Sequence, residues 1–207
     1  MTDTLRRPGG GPASARPDSG DDATLIARSV RAPECFGELF GRHADAIGRY
    51  ITSRLGPDAA DDLVAETFLV AFRRRGRYDG ADPDARPWLF GIATRLVRQH
   101  RRDEDRFFRA IARTGIDAAA GPSTEEATDR IAAQAASREL AAALAMLSPA
   151  QRDVLLLVAS GLGYAEAARA LAVPVGTVSS RLVRARQKVR EALGGQDPTD
   201  PGEDGPR

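Results

Sequence analysis

Residues Leu147–Arg190 read LSPAQRDVLLLVASGLGYAEAARALAVPVGTVSSRLVRARQKVR, and this stretch decides the fold. A short helix is expected over Tyr164–Leu171, a turn over Ala172–Pro174, and a second helix from about Val175. Ser148 suits an N-cap and Pro149 a first helical turn, so a further helix precedes the pair. This succession is that of a helix-turn-helix, whose second helix lies in a DNA major groove. At 100° per residue, Val178, Leu182, Ala185 and Val189 share one side of that helix and form a stripe for burial. Ser180, Val183, Arg184 and Gln187 point the other way, with Thr177 and Ser179 on the shoulders. Arg181 sits at the edge of the stripe, where its stem can pack while its head reaches a phosphate. Arg184 can give guanine two hydrogen bonds, and Ser or Thr can bond a base edge or a phosphate. The helix start, Val175–Thr177, is suited to a phosphate. A solvated basic face is the plainer alternative.

Outward from this stretch the pattern stays helical, and no convincing alternating strand is found. The block from about Asp21 to Arg109 carries one apolar stripe at Phe36, Leu39, Phe40, Ile47 and Ile51. A second stripe, Val64, Phe68, Ala71 and Phe72, follows the turn Gly56–Pro57–Asp58, with Asp58 as the expected N-cap. Gly76–Asp84 reads as a loop. The next helix begins near Ala85–Pro87, turns Trp88, Leu89, Ile92 and Leu96 inward, and ends in the basic run Arg98–Arg102. An Ala-rich linker follows, with a helix starting after Ser123, where Ser123 and Glu126 fit a capping box. Residues 1–20 and 194–207 are rich in Gly, Pro and Ser or Asp, the composition of disordered tails. The expected fold class is all-α, with two small helical domains on either side of a flexible linker: 21–105 and 132–193, with 106–131 between them.

Net charge is only +1 over 207 residues, but the charges are segregated. Val175–Ala192 holds Arg181, Arg184, Arg186, Lys188 and Arg190 against Glu191 alone. Local basic patches, more than global charge, are the footprint of a nucleic-acid partner. Cys35 is the only cysteine, so no intrachain disulfide can form, and with His43 and His100 as the only histidines no ordinary zinc cluster is expected. No apolar run approaches 18 residues, and the N-terminus lacks the apolar core of a signal peptide, so a reducing cytoplasm is the default expectation. No nucleophile–base pair, glycine-rich phosphate loop, cofactor site or metal site is read, and no small-molecule substrate is expected.

Three segments together resemble the bacterial sigma-70 family of sigma factors, most closely the small extracytoplasmic-function (ECF) group. VPVGTVSSRLVRARQKVR (Val173–Arg190) resembles the family's C-terminal DNA-reading segment. DAADDLVAETFLVAFRR (Asp58–Arg74) resembles the segment that grips the RNA polymerase clamp. RPWLFGIATRLVRQHRR (Arg86–Arg102) resembles the helix that reads and melts the promoter −10 element. The resemblance implies assembly with core RNA polymerase at its clamp and flap, and promoter DNA as the second partner. It implies that residues 21–105 hold polymerase and open −10, and that residues 132–193 read −35. Restraint by an anti-sigma factor is common in that group, although no residue pattern here signals it.

Carried onto this chain, the clamp contact falls on Asp61, Asp62, Leu63, Glu66 and Phe68, an acidic edge beside apolar residues; ordinary helix-start acids are the alternative reading. The −10 set is Tyr78, Arg86, Trp88, Arg95, Arg98, Gln99, Arg101 and Arg102. Trp88 could stack a base or simply fill the core, and Tyr78 could do either as well. The −35 set is Thr177, Ser179, Ser180, Arg181, Val183, Arg184 and Gln187. The family usually has Gln at Ala65, Trp at Phe72, Asn at Arg95, Asp at Gln99, Ile at Ala167 and Gly at Ala172. If position 172 needs a left-handed backbone, Ala costs about 1 kcal/mol there. A stand-alone regulator with a response-regulator-like helix-turn-helix is the competing reading. It would normally bring a sensor domain or dimer interface, and the N-terminal half shows no strand–helix alternation.

Overall fold

The computed structural model describes residues 20–80, 82–114 and 126–194. Among them the helices are α1 (Asp22–Ser29), α2 (Phe36–Leu55), α3 (Ala60–Arg74), α4 (Arg86–Gln99), α5 (Arg101–Thr114), α6 (Glu126–Met146), α7 (Pro149–Ala159), α8 (Tyr164–Leu171) and α9 (Val175–Ala192), with no strand among the described residues. Short 3-10 turns at Pro33–Cys35 and Arg75–Arg77 lead into α2 and out of α3.

The helix boundaries follow local chemistry. Asp21 caps α1 by accepting the Thr24 N–H at 2.8 Å. Gly56 ends α2 with φ +86°, a value that glycine adopts without a Cβ clash. The cap expected at Asp58 does not form; Ala59 takes that position and no side chain caps α3. Pro57 closes the turn instead, its carbonyl accepting the Ala60 N–H at 3.0 Å. Ser148 and Gln151 make the reciprocal capping box of α7, with Pro149 in its first turn. The basic run Arg98–Arg102 is not one helix face. α4 stops at Gln99, His100 turns the chain, and Arg101 opens α5. The capping box expected at Ser123 lies outside the described residues.

Packing follows the periodicity with two corrections. Leu39, Ile47 and Ile51 are buried, as are Phe68 and Ala71, but Phe40 is 45% exposed and lays its ring edge-on to Phe68 at 4.8 Å. On α4, Leu89 and Ile92 point inward as expected, joined by Phe90, Ala93 and Val97, whereas Trp88 and Leu96 are only half-buried. One apolar core runs from α2, α3 and α4 into Val154, Leu157, Leu162, Ala167, Val178 and Leu182. A second joins Phe108 and Ile111 of α5 to Ala141 and Leu144 of α6 and to Ala185 and Val189 of α9. The helix-turn-helix therefore packs directly against the N-terminal helices.

Charged groups lie inside this junction. Arg54, Glu104, Arg152 and Asp153 are each no more than 1% exposed. The Arg54 guanidinium donates to Glu104, to Asp153 Oδ1 at 2.8 Å and to the Tyr50 hydroxyl at 2.6 Å. Arg152 meets Glu104 at 3.1 Å and Asp105 at 3.0 Å, and also donates to the Leu144 carbonyl at 3.0 Å. Burial works against the Arg54 charge, but Tyr50, Glu104 and Asp153 outweigh it and hold its pKa above the ordinary value. Burial also raises the Tyr50 phenol.

Candidate nucleic-acid interface

The turn before α9 sets how that helix is presented. α8 ends at Ala172 in the left-handed conformation, φ 53° and ψ 48°, the single positive-φ residue other than glycine among those described. Its N–H reaches the Arg169 carbonyl at 3.1 Å, and the Val173 N–H reaches that of Ala168 at 3.0 Å, which satisfies the last turn. Pro174 then opens α9, whose first amides have no side-chain cap.

On α9, Val178, Leu182, Ala185 and Val189 are all buried, so the expected stripe is the one that forms. Ser180, Val183, Arg184 and Gln187 are exposed, and Thr177, Ser179 and Arg181 are half-buried on the flanks. Val183 is 62% exposed, a large apolar side chain held in solvent at the centre of the ridge. The Ser180 hydroxyl donates to the Thr177 carbonyl at 3.1 Å and keeps its lone pairs outward. Gln187 donates to Glu191 at 2.9 Å. Arginines, hydroxyls, an amide and a methyl-bearing side chain on one accessible ridge can bond phosphates and base edges and touch a thymine methyl.

The residues expected around α4 are brought together less uniformly. Trp88 packs on Tyr78 with ring centroids 5.0 Å apart, and the Tyr78 hydroxyl donates to the Asp82 carbonyl at 2.6 Å. Burial, followed by the charges of Asp82 and Asp79, pushes the Tyr78 phenol up to about 12. Beside this pair lies a cavity of about 340 Å³, bordered by Arg77, Asp79, Asp84 and Arg169. Arg95, Arg98, Gln99, Arg101 and Arg102 are exposed, but Arg98 is engaged, its Nε 2.9 Å from Asp153 Oδ2. Arg86 directs a guanidinium N–H to the Ser160 carbonyl at 3.3 Å.

On α3, Asp61 and Asp62 are exposed and Glu66 is half-buried, whereas Leu63 and Phe68 face the core at 7% and 5% exposure. The apolar surface that α2 and α3 do present is Phe40 and Leu69, which the sequence reading did not assign to it. Helical phase could have found Leu69, eight residues after Asp61 and off the buried stripe. Asp22, His43 and Asp84 also converge, but Asp22 already binds His43 at 2.7 Å, Arg42 at 3.0 Å and the Ala85 N–H at 3.0 Å. That set ties α1 to the start of α4, and the partners hold the Asp22 carboxyl below its usual range against the opposing effect of burial.

Comparison with known proteins agrees with this geometry. Residues 39–107 match the model of sigma-70 region 2, and residues 137–189 match that of sigma-70 region 4. The ECF RNA polymerase sigma factor BldN of Streptomyces coelicolor is 32% identical over 183 residues, spanning 87% of this chain and 69% of that protein. Among solved structures, CnrH in complex with the cytosolic domain of CnrY is similar with a TM-score of 0.60 and 26% identity, covering 86% of this chain and 99% of that one. The sigma factor RpoE of Bartonella quintana, solved with the anti-sigma factor NepR, gives a TM-score of 0.54 at 26% identity, covering 77% and 96%. The chain belongs to the sigma-70 family of RNA polymerase sigma factors, in its extracytoplasmic-function group. It is a transcription initiation factor whose partners are core RNA polymerase and promoter DNA, and the stand-alone regulator is not favoured. No helix among the described residues is long and apolar enough to cross a membrane.

Proposed function

We propose that residues 21–105 hold core polymerase and engage the −10 element, and that residues 132–193 read −35. The observation that carries this division is the α9 ridge, where Ser180, Val183, Arg184 and Gln187 stand exposed directly opposite a buried stripe. Arg184 is the base reader, with Thr177, Ser179, Ser180, Arg181 and Gln187 on phosphates and flanking edges, and the helix start at Val175–Thr177 on a phosphate through the Val175 and Gly176 amides, the Thr177 N–H being bonded to the Pro174 carbonyl at 2.9 Å. Around α4, Arg95, Arg101 and Arg102 neutralise phosphates, while Tyr78, Arg86, Trp88, Arg98 and Gln99 border the place where an unstacked base is held. Asp61, Asp62 and Glu66 supply the acidic rim of the clamp contact, and the exposed Phe40 and Leu69 supply its apolar part. Leu63 and Phe68 support that surface from beneath.

The chain itself is not an enzyme in this reading; RNA synthesis is catalysed by the polymerase it directs, in the cytoplasm. An anti-sigma factor is a further partner, a reading supported by the neighbour solved with one. The test is reconstitution with core polymerase, followed by run-off transcription from start sites mapped after overexpression. Core binding with selective transcripts is expected, and Asp61→Lys with Asp62→Lys should weaken assembly while leaving helicity intact. Initiation no more selective than with core enzyme alone would overturn the reading.

A further inference from the structure

Helices α2, α5, α6 and α7 border a cavity of about 680 Å³, and none of the residues assigned to polymerase or DNA lines it. Phe107, Phe108 and Ile111 of α5, Leu140 and Leu144 of α6 and Leu156 of α7 make its apolar walls. Those walls are held from behind. The Phe107 ring rests on Gly56, where a Cβ would approach it to 2.9 Å, and meets the Phe108 ring with centroids 5.6 Å apart. Arg152 lies over the Phe108 ring at 4.9 Å, but its N–H groups are already given to Glu104, Asp105 and the Leu144 carbonyl.

Apart from Ser137 of α6, the polar lining comes from α2. Arg49, Thr52 and Ser53 are spaced by three and four residues, so they share one face of that helix. Arg49 is exposed and has no ion-pair or hydrogen-bond partner among the described residues. The Thr52 hydroxyl has none either, whereas that of Ser53 donates to the Tyr50 carbonyl at 2.8 Å. Arg49 is the single charge in the lining, and no carboxylate faces it there.

A cavity of this size, apolar but for a few converging polar groups, has the dimensions of a small-molecule site. The sign of its ligand follows from Arg49. One guanidinium beside a free hydroxyl donor suits one carboxylate, and the apolar walls would reject a polyanion. We propose that this cavity binds an amphipathic monocarboxylate, with its hydrocarbon body among Phe107, Ile111, Leu140 and Leu144 and its carboxylate on Arg49 and Thr52. Each methylene buried there raises affinity about fourfold. The exposed Arg49 adds only a small factor, so the chain supplies the affinity and Arg49 the choice of head group. A ligand held between these helices also stabilises the folded protein by mass action.

The test is calorimetric titration of the full chain with octanoate, decanoate, dodecanoate and tetradecanoate below their micelle-forming concentrations, with dodecanol as the uncharged counterpart. One site per chain is expected, with affinity rising about fourfold per methylene until the cavity is full and levelling off beyond that length. Dodecanol should bind about fivefold more weakly than dodecanoate. Arg49→Gln should erase that preference and leave dodecanol binding unchanged, with the helical content of the parent. Leu140→Trp, at a position 41% exposed, should move the plateau to a shorter acid. Absence of saturable binding, equal affinity of the parent for acid and alcohol, a preference that survives Arg49→Gln, or a plateau that Leu140→Trp leaves in place would each overturn the proposal. So would an unliganded dimer that Leu140→Arg dissociates in sedimentation, since a second copy would then fill the groove. None of these readouts uses polymerase or DNA, so they succeed or fail separately from the proposed promoter contacts.

Discussion

α4 and α9 carry similar side chains in opposite circumstances. Arg184 on α9 stands in solvent with Val183 and Ser180 beside it, and the helix buries only its opposite stripe. Arg98 on α4 is drawn onto Asp153, Trp88 leans on Tyr78, and α8 rests along the same helix. Arginine content alone therefore says little about readiness to bind. What matters is whether another part of the chain already satisfies the guanidinium.

The contrast can be broken most forcefully at the junction. Arg54→Leu leaves Glu104 and Asp153 in a dry site without their shared cation and should destabilise the chain by about 3–5 kcal/mol in urea unfolding. A loss under about 1 kcal/mol would mean that water already reaches these groups. On the open reader, Arg184→Ala should cost about 1–3 kcal/mol in −35 discrimination, measured by run-off on paired promoter variants. The same substitution should leave unfolding within about 0.5 kcal/mol, as expected for an exposed site. A large stability loss there would erase the distinction between the two helices.

Ala172→Gly should stabilise the helix-turn-helix by up to about 1 kcal/mol. Relief of the left-handed backbone slightly exceeds the added freedom of the unfolded chain. A melting temperature that falls would show that the turn relaxes without strain. The smallest effect concerns the Tyr78–Trp88 contact. The folded state holds the Tyr78 proton up to about pH 12, whereas an unfolded tyrosine loses it near 10. Its contribution to stability is therefore complete below pH 10 and drains away as pH rises towards 12. Tyr78→Phe should flatten the stability slope in that window relative to the parent, and an identical slope would place the phenol in water.

Where structure is written locally, the sequence could be read closely. The stripe Val178–Leu182–Ala185–Val189, the capping box at Ser148 and the left-handed demand at Ala172 all depend on residues within a turn of one another. The junction depends on partners 50 and 99 residues apart in the chain, so Arg54, Glu104, Arg152 and Asp153 look like ordinary surface charges when taken singly. A faint signal existed. Arg54 follows Ile47, Tyr50 and Ile51 in helical phase, and Asp153 sits one turn before Leu157, so each occupies an inward position. The break at His100 is hidden because Arg98–Arg102 reads as a continuous charged run, and the expected cap at Asp58 fails because the turn closes through the Pro57 carbonyl and the cap position falls one residue later, on Ala59.

The reach of Arg54 also bears on how the chain is made. Its acceptor Asp153 lies 99 residues downstream, and at about 5–20 residues per second a ribosome needs about 5–20 s to deliver it. For about the first half of that interval neither of the carboxylates that Arg54 pairs with exists, since Glu104 lies 50 residues downstream, and for the rest only Glu104 does, so solvent must keep the guanidinium wet. The final drying of the molecule's middle is thus a late event, timed by translation and independent of how quickly the first helices collapse.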